Sequence, residues 1–117
     1  MSTDTGRDGR IKDIVKDLAA RFVQLESNYT SLVTVTDIML LDFGKRATIL
    51  VTVLPDDKEE AALDFLKRKR TEFREYVKKN SKLGRIPFFD FDIDHGEKNR
   101  QRIDAIATST DNNSNTA

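Results

Sequence analysis

The sequence predicts an α+β domain of two layers, with helices packed on one face of a three-stranded sheet in the order α-β-β-α(kink)α-β. Three observations predict it. Ile11, Ile14, Val15, Leu18, Phe22 and Leu25 recur at spacings of three and four, the period of an amphipathic helix. Two β-branched runs, residues 32–40 and 46–54, flank the turn-forming Asp42-Phe43-Gly44-Lys45, which makes them an antiparallel pair. A second helical stretch then leads into residues 86–93, a third strand that arrives by a helical crossover and so runs parallel to an earlier one.

Taken in order, residues 1–9 hold two glycines and nothing apolar after Met1, and read as a flexible arm. The first helix spans 10–26, with Lys12, Asp13, Lys16 and Asp17 on its outer face and Ser27-Asn28 to end it. The strand pair follows, and Phe43 in its turn is expected to be exposed. At Pro55-Asp56-Asp57-Lys58 either aspartate can cap a helix, and Glu59 and Glu60 sit where the helix dipole favours negative charge. The helix that follows runs from about 58 into the high seventies, with Ala62, Leu63, Phe65, Leu66, Phe73, Tyr76 and Val77 as its core face. Lys69-Arg70 interrupts that face, so the two stems are expected to lie along apolar surface with their charges in water.

Asn80-Ser81 disfavours a helix interior, because both side chains compete for backbone hydrogen bonds. A kink is expected there, then a short turn through Leu83, closed by Gly84 and barred from continuing by Pro87. In the third strand Phe89, Phe91 and Ile93 alternate with Asp90, Asp92 and Asp94. The apolar set belongs in the core, and the acidic set on an outward face that discourages edge pairing. The folded domain is read as 10–106, and the polar residues 107–117 as a disordered tail.

Composition narrows the function. The 117 residues include no cysteine, which excludes disulfides, zinc knuckles and thiol chemistry. No apolar run approaches the ~20 residues of a membrane span, and residues 1–10, with Asp4 and Asp8, lack the apolar core of a signal peptide. The expectation is a cytoplasmic monomer with no membrane partner, no cofactor, no metal and no catalytic residue. His95 stands alone beside Gly96 in an expected turn, without the partner that general acid–base work needs. Asp90-x-Asp92-x-Asp94 begins like a calcium loop, but His95 occupies the glycine position and Gln101 the final ligand position.

The net charge is zero, yet residues 67–85 hold nine basic and two acidic residues, a net +7 balanced by −7 elsewhere. A charge run usually is a solvated face. The excess of one sign favours an anion-binding side. The candidate RNA-binding residues are Lys67, Arg70, Arg74, Lys78, Lys79, Asn80, Ser81, Lys82 and Arg85. The phenylalanines at 22, 65, 73, 89 and 91 fall at core-periodic positions and read as packing residues rather than base-stacking platforms.

Three stretches resemble the ribosome-binding factor A family, and together they cover about 10–106. They are the strand pair (Val33-Thr34-Val35-Thr36-Asp37-Ile38 through Ala47 to Leu54), the segment Lys82-Leu83-Gly84-Arg85-Ile86-Pro87-Phe88-Phe89-Asp90-Phe91, and the closing Arg102-Ile103-Asp104 with Ile106. The resemblance implies a KH-like domain of the second type. It also implies binding to the small (30S) ribosomal subunit and precursor 16S rRNA, with help in late maturation and 5′-end processing. The family's small alanine at its helix kink falls on Asn80 in this reading, and Lys82 stands where many members have glycine. No Gly-x-x-Gly occurs between Lys67 and Phe91, so the backbone-clamping loop of an ordinary KH domain is missing. The alternatives are a general KH-like RNA-binding or protein-interaction module without ribosomal specificity, and a metal-dependent nuclease built on Asp90, Asp92 and Asp94.

Overall fold

The computed structural model describes residues 2–27, 30–101 and 103. Helix α1 (Ser2–Glu26) is followed by strands β1 (Leu32–Leu41) and β2 (Arg46–Leu54), a 3-10 turn (Asp56–Lys58), helices α2 (Glu59–Arg68) and α3 (Arg70–Asn80), and strand β3 (Phe88–Ile93). A fourth helix, α4, begins at residue 95. The sheet order is β1-β2-β3, with β1 antiparallel and β3 parallel to β2. The fold class and the parallel arrival of the third strand are as the sequence predicts; the structure adds that β2 is its partner and that α4 follows. The tail expected at 107–117 and the segment 104–106 lie outside the described residues, as do Met1, Asn28, Tyr29 and Arg102.

The helical backbone of α1 starts at Ser2, well before the stripe that announces it, so residues 2–9 continue the helix in place of the expected flexible arm. The stripe itself is shifted. Val15, Leu18, Ala19, Phe22 and Val23 are buried, whereas Leu25 is 69% exposed. Ala19 and Val23 widen the buried stripe, while Leu25, in the last turn of α1, is left at its edge in solvent.

One bulge sets the sheet's inner face. Val35 pairs with Val51 and Asp37 with Leu50, so Thr36 is an extra residue in β1. Strict alternation from Val33 and Val35 would bring Asp37 inward and turn Ile38 away. The bulge restores the phase, and Ile38 is buried against the helices opposite Ile49. At the hairpin tip, Asp42, Phe43 and Gly44 all have positive φ, and Phe43 is fully exposed as expected.

The core is centred on Phe73 of α3, which has no exposed surface. Its ring meets Phe22 at 5.2 Å, Phe89 at 4.7 Å and Phe91 at 5.7 Å between centroids, all tilted or edge-on, the arrangement that the ring quadrupole favours. Ile49, Val51 and Val53 line the sheet side, and Leu66 and Val77 the helix side. Of the five phenylalanines expected in the core, Phe65 is only partly buried and packs at its margin.

The long helix breaks at Lys69 rather than at Asn80-Ser81. Lys69 has φ −96° and ψ 7°, and its N–H bonds the Leu66 carbonyl, a tightened last turn. Leu66 and Phe73, seven residues apart, are both buried. In a straight helix the basic pair between them would share their stripe; at the break Lys69 is half-buried against Glu26 and Arg70 is exposed. At the expected kink, α3 simply stops. The Asn80 amide donates to the Tyr76 carbonyl at 2.8 Å and the Ser81 hydroxyl to the Val77 carbonyl at 2.8 Å, satisfying carbonyls the helix end leaves open. Ser81 is extended, and residues 81–87 carry no helical turn. Neither aspartate holds the cap position of α2. Asp56 and Asp57 lie in the 3-10 turn, and Lys58 occupies the cap without a side-chain bond.

On β3, Phe89, Phe91 and Ile93 point inward as predicted. The outward aspartates close the sheet edge. Asp90 Oδ1 accepts the N–H of Phe91 and Asp92 Oδ1 that of Ile93, each at 2.8 Å. Donors that would invite another strand are thereby occupied. His95 opens α4 rather than lying in a loop.

Candidate nucleic-acid interface

The basic run lies on α2, α3 and the extended segment that joins α3 to β3. Its first part serves the fold. The Lys67 ammonium is 3.6 Å and the Arg70 guanidinium 3.3 Å from Asp90 Oδ1, and Arg70 Nε also donates to the Lys67 carbonyl at 2.8 Å. Lys69 lies 3.3 Å from Glu26 of α1 and 3.3 Å from Glu72, with its ammonium 5.5 Å from the Phe65 ring centre. Hydrogen bonds to Glu26 and then Glu72 hold that ammonium above its ordinary pKa, because both stabilise the charged form. Arg74 donates to the carbonyls of Pro87 at 3.2 Å and Ile86 at 3.1 Å, and its guanidinium stacks 4.6 Å from the centre of Phe88.

The second part meets nothing. Lys78 and Lys79 at the end of α3, and Lys82 and Arg85 beyond it, are exposed and make no ion pair among the described residues. Of the nine candidate residues, these four are cations with unoccupied donors. Lys67, Arg70 and Arg74 are tied to partners within the fold, and Asn80 and Ser81 terminate α3. Exposed donors of this kind, on one side of a small domain, suit phosphate oxygens.

Two cations escape the sequence reading. Arg68 is exposed at the end of α2 and unpaired among the described residues, and belongs to the run without standing out in it. Lys45 is remote in sequence, but its carbonyl accepts the Phe88 N–H at 2.9 Å, which brings the hairpin tip beside the start of β3. No sequence signal links the two. Only the parallel register of Arg46 with Phe88 does.

The acidic string on β3 is structural among the described residues. Asp94 Oδ2 takes the Thr36 hydroxyl at 2.6 Å and Oδ1 takes the Glu97 N–H at 2.9 Å. Asp94 is therefore the N-cap of α4, and these two bonds, the Thr36 hydroxyl foremost, lower its pKa below the ordinary 3.8. No group of three or more potential metal ligands occurs among the described residues, and no described helix is long and apolar enough to cross a membrane.

Solved structures share the fold. The crystal structure of ribosome-binding factor A from Thermus thermophilus superposes with a TM-score of 0.65 at 21% identity, covering 73% of this chain and 92% of that one. A homology model of the Thermus thermophilus factor, fitted into the map of a 30S–RbfA complex, gives 0.59 at 22% identity, covering 68% and 86%. No curated protein matches the sequence. At the level of the whole family the match is extensive, since the model of ribosome-binding factor A covers residues 7–107, from α1 through α4. With its three-stranded mixed sheet, its KH-like order of elements and no Gly-x-x-Gly between Lys67 and Phe91, the chain belongs to the ribosome-binding factor A family.

Proposed function

We propose that this chain binds the small (30S) ribosomal subunit through precursor 16S rRNA and assists late maturation of the subunit, including processing of the 16S 5′ end. It acts as a cytoplasmic monomer and as a binding factor, not as an enzyme. The observation that carries this reading is the set of four cations, Lys78, Lys79, Lys82 and Arg85, exposed at the end of α3 and unpaired among the described residues. Family membership supports the ribosomal partner, and the related Thermus factor has been placed in a 30S complex. The chemistry of contact is general. Lysine and arginine on one side release counterions from the phosphate backbone, and each contact adds to the salt dependence of binding.

The experiment is co-sedimentation with free small subunits over a range of salt, comparing the native chain with Lys78→Gln/Lys79→Gln/Lys82→Gln/Arg85→Gln. The variant is expected to bind more weakly, with the logarithmic salt slope shallower by roughly 3, from about 0.7–0.9 per lost contact. Its melting temperature should match the native chain's, since no fold contact is removed. Unchanged subunit affinity in the variant refutes the cation assignment. Equal binding to large subunits favours a general RNA-binding module without ribosomal specificity.

A further inference from the structure

We infer that the ring of Phe88 is a stacking surface for an unpaired RNA base, set among the cations that hold the flanking phosphates. This deepens the RNA-binding reading above and rests on it.

Phe88 opens β3, where Phe89, Phe91 and Ile93 turn inward and Phe88 turns out, 66% exposed. A lone exposed apolar side chain is ordinary. The surroundings of this one are not. The Arg74 guanidinium lies 4.6 Å from its centre and is tied to the Ile86 and Pro87 carbonyls directly before it. One side of the ring therefore carries a fixed cation, and the rest of it is open. Arg85 and Lys82 precede it on the same segment, Lys78 stands one helical turn beyond Arg74, and the Lys45 carbonyl accepts its N–H. These four cations, Lys45, Lys78, Lys82 and Arg85, are exposed and unpaired among the described residues.

The exposed large aromatics of the described residues are Phe43 and Phe88, and both lie at the sheet end where the hairpin tip meets the start of β3. Cations beside an open π-face are what a single strand requires, with phosphates on the lysines and arginines and a base on the ring. A duplex keeps its bases stacked on one another and offers none to the ring. The Phe88 surface therefore selects unpaired over paired RNA, a choice that charge alone does not make.

The test uses the full chain and its Phe88→Ala and Phe88→Trp variants. Three probes are titrated: a single-stranded oligoadenylate of about twelve nucleotides, an abasic oligomer of equal length and charge, and a blunt RNA duplex. Phe88→Ala is expected to weaken oligoadenylate binding roughly tenfold while leaving abasic and duplex binding and the salt slope unchanged. The Phe88→Trp fluorescence should be quenched by oligoadenylate and not by the abasic oligomer, which keeps the inference testable should the alanine variant fold poorly. Equal oligoadenylate affinity of native and Phe88→Ala chains, measurable or not, overturns the inference, as does a Trp signal indifferent to the base. The two readings fail separately. Loss of subunit binding in the four-cation variant with an inert Phe88 sinks only the stacking, whereas retained binding in that variant sinks the cation assignment whatever Phe88 does.

Discussion

Lys67, Lys69, Arg70 and Arg74 meet carboxylates or carbonyls of their own chain, while Lys78, Lys79, Lys82 and Arg85, a few residues later, meet none among the described residues. The two stretches are nearly alike in composition. What separates them is what the fold places opposite. The break at Lys69 lies against Glu26 of α1 and beside Asp90 of β3, whereas the polar side chains that end α3, Asn80 and Ser81, bond back to its own carbonyls. Counting charges along a helix therefore overstates a binding face wherever the same helix also needs counter-charges to pack.

This comparison breaks if ion pairs, and not the core beneath, hold the helix break in place. Phe73→Ala is the largest expected effect, a loss of about 3–5 kcal/mol in urea unfolding, because that ring touches α1 and β3 at once. Lys67→Gln and Arg70→Gln are each expected to cost under about 1 kcal/mol, since both sit in half-exposed pairs. A larger loss from either than from Phe73→Ala would reverse the assignment.

Arg74 sharpens the division. It makes two hydrogen bonds to carbonyls and covers an aromatic ring, so Arg74→Ala is expected to cost about 1–2 kcal/mol. Lys79→Ala, further along the same helix, should stay within about 0.5 kcal/mol. Matched thermal melts of the two variants decide it, and equal shifts would erase the boundary drawn between the two stretches.

Asp94 offers a smaller contrast, between a carboxylate that caps a helix and Asp90, which faces cations. Asp94→Ala is expected to cost about 1 kcal/mol at neutral pH. With its folded pKa lowered by the Thr36 hydroxyl and the Glu97 N–H, the unfolded chain takes up the proton first as acid is added. The advantage of the native chain over Asp94→Ala should therefore be complete above the ordinary carboxylate pKa of 3.8 and shrink as pH falls through the lower folded value. A gap that widens toward low pH would contradict the cap. A small effect is also expected of Asn80→Ala/Ser81→Ala, under about 1 kcal/mol, because the two bonds it removes lie at the solvent-facing end of α3. A loss of several kcal/mol would mean that the end of α3 supports more than itself.

The sheet was legible because its signals are local. β-branched runs, a turn and a strict inward alternation on β3 needed no knowledge of the remainder. The break in the long helix was not, because no residue near Lys69 disfavours helix. The break falls at the basic pair between Leu66 and Phe73, where Lys69 meets Glu26 of α1 and Arg70 meets Asp90 of β3, tertiary partners that the sequence registers only as a basic pair in an apolar stripe. Asn80 and Ser81 do stop the helix, as their chemistry says, but nothing helical follows them. Helix α4 escaped for the opposite reason. It has no apolar stripe, and Asp94-x-x-Glu97, a legible start signal, is masked as the end of an acidic strand. The free half of the interface was visible in the charge run, but Lys45 was not, since only the parallel pairing of β3 brings it near.

The extra residue at Thr36 divides β1 into two stretches of opposite phase, each matched to β2 on its own terms. The surplus residue is therefore a place where β1 can be shortened without losing its register. A substitution at Thr36 removes one hydroxyl bond to Asp94. Deleting the residue would leave Val35 opposite Val51 and Asp37 opposite Leu50 in an unbroken ladder, with Ile38 and Leu40 still facing the core. A chain lacking Thr36 should therefore keep cooperative unfolding, as should Thr36→Val. Calorimetry of the pair checks it, and loss of cooperativity in the shortened chain alone would mean that the bulge itself is needed.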